Sequence, residues 1–312
     1  MQYDSVRHVS VWLDDLSSEA ALAPAMDWAR RLILPLRVVV SSKRFANPVV
    51  VPDNPANDAV RMDREPAPII EKIKSWGLAC VERGIIMETS FWVGEPEVGI
   101  DQFFRPGGLC VLEENRSDPV RAKLLARSTR LPEVLLLVTP AIYQPMTRVL
   151  ILHDNHDPSG CFLETAGRLC QALDVQPLIL TLASSERNAM LKQRFAEGVC
   201  STLRLKADFD AVISFDLYSA VDRVATWRNC SHVFFERPKQ AMNVPLWQRA
   251  RVDSLSELRK VRESLTLLAL PEGLALDFPN KSWARQNSGH PRNYAGSLDS
   301  RPDSTNNEMY AR

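Results

Sequence analysis

Five consecutive polar residues, His153-Asp154-Asn155-His156-Asp157, form the densest group of metal-ligating and proton-carrying side chains in the chain. Imidazole and carboxylate are good ligands for zinc and related ions, so metal binding is one chemistry they could support. Phosphate transfer is another. His153 and His156 keep the spacing of the H-x-G-H motif of nucleotidyl-transfer enzymes, in which two imidazoles stabilise charge on the moving phosphate, with Asn155 in place of its glycine. No second basic phosphate-binding motif accompanies the pair. A polar turn between a strand and a helix accounts for the same residues and carries more weight.

Other chemistry-bearing residues are scattered. Gly107-Gly108 precedes an apolar run instead of a helix, so it reads as a turn and not a phosphate cradle. There is no G-x-S-x-G elbow, and the five histidines assemble no triad with serine or cysteine partners. Six cysteines lie apart with no C-x-x-C spacing, which points to a reduced, cytoplasmic protein. Lysine plus arginine number 38 and aspartate plus glutamate number 38, so no net field draws the chain to nucleic acid or anionic lipid. No apolar run approaches the ~20 residues that span a bilayer. Lys239, Arg249, Arg251, Arg259, Lys260 and Arg262 make a basic stretch, read as a solvated helix face with Glu257 and Glu263.

The His153 cluster sits inside a repeat. Residues 11–40 and 151–180 carry one strand–helix–strand pattern at a constant, gapless offset. Each copy opens with an apolar strand ending at an aspartate, Asp14 or Asp154. The helical stripe Leu22, Met26, Ala29 and Ile33 answers to Phe162, Ala166, Leu169 and Leu173, and Val38-Val39-Val40 answers to Leu178-Ile179-Leu180.

Beyond the repeat, the first unit reads as a Pro/Asn-rich loop over 47–68, a helix over 69–83 and a strand over 87–92. A Val93-Gly94-Glu95-Pro96 turn, a short helix to Phe104 and a strand over 109–112 follow, then a helix over 119–130 and a last strand over 134–138. The second unit reads as a helix over 186–199, a weak strand over 203–205, a strand over 211–215, a helix over 219–228 and a final strand over 233–235. It leaves no room for a short helix after the third strand. Ser254-Leu255-Ser256-Glu257 opens a helix over 254–270 as a capping box. From Asp277 the composition turns to Asn, Ser, Arg, Asp, Pro and Gly, too poor in aliphatics to offset the entropy of ordering. Alternating strands and helices predict an α/β fold with parallel sheets flanked by helices.

This order of elements resembles the universal stress protein family, here in tandem. Val11-Trp12-Leu13-Asp14-Asp15 followed by Ser18-Glu19-Ala20-Ala21-Leu22 is similar to the family's opening, and Val93-Gly94-Glu95-Pro96 to its V-G-x-P turn. Asn229-Cys230-Ser231-His232-Val233 sits where members often carry a cysteine before the last strand. The resemblance implies two units, 1–143 and a shorter 144–250; the capping box and the change of composition add a C-terminal helix over 251–276 and a disordered tail over 277–312. It implies ATP as the ligand, with Asp14, Gly94 and Asp154 as nucleotide-side residues and a G-x2-G-x9-G-[ST] loop after the fourth strand. Glycine is needed in such a loop because backbone N–H groups must approach phosphate closely. That loop is missing twice: no glycine lies between Gly108 and Gly160, nor between Gly198 and Gly273. Glu113, Glu114 and Asp118 also place negative charge where phosphates would sit.

The expectation is therefore a cytoplasmic regulatory or interaction protein without a bound cofactor. An ATP-binding stress protein and an enzyme at His153 and His156 remain the alternatives. Its partners would be proteins, with no nucleic acid and no membrane. The two units should form an intramolecular pseudo-dimer in which the strands 134–138 and 233–235 pair antiparallel, and homodimers remain open.

Overall fold

The computed structural model describes residues 4–13, 19–41, 67–92, 98–99, 108–113, 135–140, 142–153, 160–213, 217–237, 265–271 and 276–277. Of the loop expected over 47–68, all but Ala67 and Pro68, which open a helix, lies outside these residues, as do the helix over 119–130, most of the helix over 251–276 and the tail beyond Asp277.

Twelve strands and five longer helices are described. In the first half β1 (Asp4–Ser5) and β2 (His8–Leu13) lead to α1 (Leu22–Leu32) and β3 (Leu36–Ser41). Then come α2 (Ala67–Glu82), β4 (Met87–Trp92), β5 (Gly108–Glu113) and β6 (Leu135–Thr139). The second half repeats the plan with β7 (Val149–His153), α3 (Cys161–Leu173), β8 (Pro177–Ala183), α4 (Glu186–Leu203), β9 (Asp208–Ile213), α5 (Leu217–Trp227), β10 (His232–Arg237) and β11 (Thr266–Pro271). A two-residue strand, β12 (Leu276–Asp277), returns to pair with β1.

Strands β2 to β11 form one ten-stranded sheet in the order β4-β3-β2-β5-β6-β11-β10-β7-β8-β9. All neighbours are parallel except β6 and β11, which meet antiparallel with Leu137 opposite Leu268. Each half is thus a five-stranded parallel sheet, and the halves join through their fifth strands. Buried on both faces, the inner strands read as apolar runs, as in Leu135-Leu136-Leu137-Val138, while the edge strands β4 and β9 are partly exposed.

Three expectations change. The antiparallel partner of β6 is β11 and not the strand over 233–235, because β10 is the fourth strand of the second half. The miscount began at Leu203–Leu205, which is no strand. Helix α4 runs on to Leu203 and closes with Arg204 left-handed (φ 53°), the Leu205 N–H reaching back to the Cys200 carbonyl. Consequently β9 is the third strand, α5 fills the place for which no room was expected, and the second half extends to Pro271. The expected helix over 254–270 is a strand from Thr266 onward: a leucine-rich run with good helix propensity is held extended between two strands.

The repeat is also not gapless. Val9 and Val149 hold equivalent places in the first strands, yet they pair with Leu36 and Pro177, which are one residue further apart. One residue is inserted in the second βα turn, so Ile33 aligns with Asp174, both left-handed helix caps, instead of with Leu173. Ile33 is accordingly 52% exposed, while Leu22, Met26 and Ala29 are buried as the periodicity requires.

Helices α1, α2, α3 and α4 cover one face of the sheet, and α5 the other. Helix α1 does more than cover its own half. Trp28, fully buried, packs at 6.1 Å between ring centroids against both His232 and Phe234 of β10. One indole thereby clamps the seam. Trp28→Ala should destabilise the chain by about 3–5 kcal/mol, the range for emptying a large buried aromatic site. Urea denaturation checks this, and a loss under 1 kcal/mol would show that the halves hold without the clamp.

Candidate functional site

In open α/β sheets ligands bind beyond the carboxyl ends of the strands where strand order reverses. Here that places one crevice at the ends of β2 and β5 and another at the ends of β7 and β10. Asp14, Gly94, Asp154 and His156 lie outside the described residues. Of the expected site residues, His153 is described.

Toward the carboxyl ends of the first half's strands, β2 and β4 each carry an indole. Trp12 on β2 and Trp92 on β4 lie on the same face as Val39 and Leu112, and Trp12 is buried. Both press on Gly99. A Cβ there would fall inside contact distance of Trp12 Cη2 and 2.8 Å from Trp92 Cε2. This glycine serves close packing and not phosphate binding. In the second crevice His153 is buried at the end of β7 on the α3–α4 face, and its ring stacks on Phe195 of α4 at 5.9 Å and 20°. Gly160, left-handed at the start of α3, brings the turn within 3.0 Å of the same phenyl ring, measured from an added Cβ. An imidazole enclosed this way is poorly placed to receive a metal or a phosphate. Among the described residues no group of three or more His, Cys, Asp or Glu converges on one point.

Glycine is absent after the true fourth strand as well. The segment after the true fourth strand, β10, begins Pro238-Lys239-Gln240 and contains no glycine before Gly273. Neither the segment after β5 nor the one after β10 carries the glycines of a G-x2-G-x9-G-[ST] loop.

The densest described polar cluster lies elsewhere, at the amino ends of the strands along the seam. Asp27 on α1 accepts hydrogen bonds from the Tyr143 hydroxyl (2.9 Å), Arg30 (3.2 Å) and Arg31 (3.1 Å). Arg31 also donates to the Met146 carbonyl at 3.2 Å. Ser231 donates to the Pro145 carbonyl (3.4 Å), accepts from the Thr147 N–H (3.3 Å) and lies 2.9 Å from His232 Nδ1. The connection between the halves is therefore tied to both of them.

Burial alone pushes the Asp27 carboxyl up, but the Tyr143 hydroxyl and the Arg31 and Arg30 guanidiniums outweigh it and hold it below the usual carboxylate range. Burial, with Asp27 beside it, raises the Tyr143 phenol. The same burial pushes His232 down to about 3, Asp27 opposing and Arg31 assisting. A serine beside an imidazole can make a nucleophile. Ser231 and His232 are both buried, however, and the ring is boxed by Trp28 and Tyr143. The pair fixes the seam and offers nothing to a substrate. Sequence reading passed over Asp27, Tyr143 and His232 because their partners are about a hundred residues apart, and no local spacing marks them.

No family model matches the chain, and no curated protein matches it in sequence. Solved structures match its shape. A universal stress protein from Archaeoglobus fulgidus superposes with a TM-score of 0.59 at 13% identity, over 85% of this chain and 98% of that one. A universal stress protein described as putative, from Pseudomonas aeruginosa, matches at 0.56 and 14% identity, over 86% and 94%. The cytoplasmic domain of a prokaryotic cation chloride cotransporter matches at 0.52 and 14% identity, over 86% and 98%. The fold is that of tandem universal stress proteins. Among the described residues no helix is long and apolar enough to cross a membrane.

Two outcomes follow from this geometry. Gly99→Ala should cost about 1–3 kcal/mol, as overpacking does, because the indole rings it meets cannot swing aside as a flexible chain end can. Thermal or urea melts measure it, and unchanged stability would mean that the indoles yield. The second outcome concerns acid. His232 stays neutral in the folded chain to about pH 3, whereas the unfolded chain protonates it near 6.5. The folded state binds fewer protons, so stability is full above pH 6.5 and falls by up to about 1.4 kcal/mol per unit below it. Asp27, with its lowered pKa, adds its own loss only below the ordinary carboxylate value of 3.8. His232→Gln should flatten the pH 4–6 part of the stability curve, and an unchanged slope there would assign the titration to other groups.

Proposed function

We propose that this chain is a tandem universal stress protein-like module that works in the cytoplasm by regulating or binding other proteins and does not use ATP. The observation that carries the reading is that the places where this fold would cradle phosphate lack glycine in both halves. In the first half, moreover, Gly99 is committed to packing under Trp12 and Trp92. The acidic Glu113, Glu114 and Asp118 after β5 oppose a triphosphate. A fold that keeps its sheet and core while losing its phosphate loops retains surfaces rather than chemistry. The likeness to a transporter's cytoplasmic domain supports the same reading, since there the fold is one domain of a larger protein. The equal count of acidic and basic residues favours protein over nucleic-acid partners.

Titration calorimetry of the full chain with Mg·ATP tests this directly. No saturable heat is expected up to millimolar nucleotide. Micromolar affinity would overturn the proposal, and its loss in Asp14→Ala would establish an ATP-binding stress protein.

A further inference from the structure

Because the halves share one fold, each shows what the other does with the same space. The left-handed caps that end α2 and α4 set Ile85 on Leu205. Strand pairing carries the match outward, placing Ser90 on Asp210, Trp92 on Val212 and Trp12 on Leu152. In the first half the two indoles fill the layer between the sheet and the segment after β4, where they press on Gly99. In the second half a valine and a leucine stand in their places, and a groove of about 770 Å3 runs between β9 and α5. Its volume lies within the range of small-molecule sites. The fold can fill this space, and the second half keeps it.

The lining has two parts. Val212 of β9 and the buried Val224 of α5 are apolar, and Trp227, 72% exposed, adds an indole. Three lining residues are charged. Asp210 is already engaged, since Arg228 holds it at 3.1 Å while its guanidinium lies 4.4 Å over the Trp227 ring. That leaves Asp222 and Arg223, successive residues of α5 with opposite sign, neither of which forms an ion pair among the described residues. Successive positions on a helix do not face each other, so the two do not neutralise one another. A head group that carries both charges can meet both.

We propose that this groove binds a free aromatic α-amino acid, with tryptophan the best fit. The ring takes the place that Trp92 fills in the first half, over Val212 and Val224 and against Trp227. The ammonium meets Asp222 and the carboxylate meets Arg223. An amine alone would set a cation beside an unmatched Arg223, and an acid alone an anion beside an unmatched Asp222, so the zwitterion is the charge pattern that satisfies both. The groove is open to solvent and the ligand is small, so the dissociation constant is on the order of 0.1–1 mM. Such a site adds a small-molecule input to the regulatory reading above without depending on it.

Saturation-transfer NMR titrations of the full chain with L-tryptophan, tryptamine, 3-indolepropionate and L-alanine test the proposal. Saturable binding of L-tryptophan is expected. Tryptamine lacks the carboxylate, 3-indolepropionate the ammonium and alanine the ring, and each should bind at least fivefold more weakly. Asp222→Asn should weaken L-tryptophan and tryptamine severalfold and spare 3-indolepropionate, whereas Arg223→Gln should weaken L-tryptophan and 3-indolepropionate and spare tryptamine. Val212→Trp, which gives the groove the first half's residue, should abolish binding. The two charge changes lie on the surface of α5 and should leave the melting temperature unchanged, so they carry the test even if the larger substitution disturbs the fold. No saturable binding up to the solubility limit of L-tryptophan overturns the proposal. So does tryptamine binding as tightly as L-tryptophan, an affinity that neither charge variant changes, or binding that survives Val212→Trp in a folded chain. None of these outcomes touches the ATP titration, so the two proposals fail separately.

Discussion

The antiparallel meeting of β6 with β11 is the constraint from which the rest of the molecule follows. Two five-stranded parallel sheets each have an apolar fifth strand that, left uncovered, would be an edge ready to pair with other chains. Joining them converts two edges into the centre of one sheet. Leu136, Leu137, Leu268 and Ala269 are then buried on both faces, which only strands with helices above and below can sustain. Because the seam is covered by α1 as well as by its own strands, Trp28 can reach His232 and Phe234 on the far half. The connection carrying Tyr143, Pro145 and Met146 is pinned beneath it. Separation of the halves would expose Trp28, strand backbone and a neutral histidine together, so the halves should melt as one.

Fusion through the fifth strands moves the edge problem to the third. Strands β4 and β9 close the sheet, and each carries charge where another strand would dock. On β9, Asp210 accepts from the backbone N–H of Ala211 and is held at 3.1 Å by Arg228, whose guanidinium lies 4.4 Å over the Trp227 ring. A strand adding to this edge would have to contend with that ion pair. On β4, Glu88 meets Arg37 of the neighbouring strand at 3.4 Å. These pairs are exposed enough that their value lies in blocking misassociation more than in stability.

The fold was legible wherever a residue's place depended on near neighbours. The repeat, the helical stripes of α1 and α3, and strands such as β3 and β8 follow from local period and from turn residues. Errors arose where distant contacts overrode local preference. Leu265-Thr266-Leu267-Leu268-Ala269-Leu270 has no alternation to mark it as a strand, because both of its faces are buried, and its leucines favour helix until β6 and β10 hold it extended. The inserted residue in the second βα turn was invisible because the strands match at one offset and the helices look acceptable at two. The strand register and the left-handed caps at Ile33 and Asp174 separate them. The site was less legible than the fold. Missing glycines could be counted, but the half-buried Asp27–Tyr143 contact and the stacking of His153 on Phe195 need coordinates.

Tandem fusion also explains why the seam is one-sided. In a symmetric dimer every residue at the axis must suit its own copy across it. Here Val9 and Val149 are equivalent, so the residues paired with them, Leu109 and His232, occupy matched positions, one apolar and one an imidazole. Trp28 on α1 answers to Leu169 on α3 by the alignment of the helix caps. A large indole over a compact strand end on one side, with the smaller leucine on the other, would leave two clashes or two voids if both halves were identical. Once the halves share a chain, each can change alone, and the polar cluster at Asp27 needs no counterpart. The same freedom lets Leu78 and Val81 stand exposed on α2 where α4 carries Gly198 and Ser201. What the fold retains from symmetry is its sheet; what it does with its surface is decided half by half.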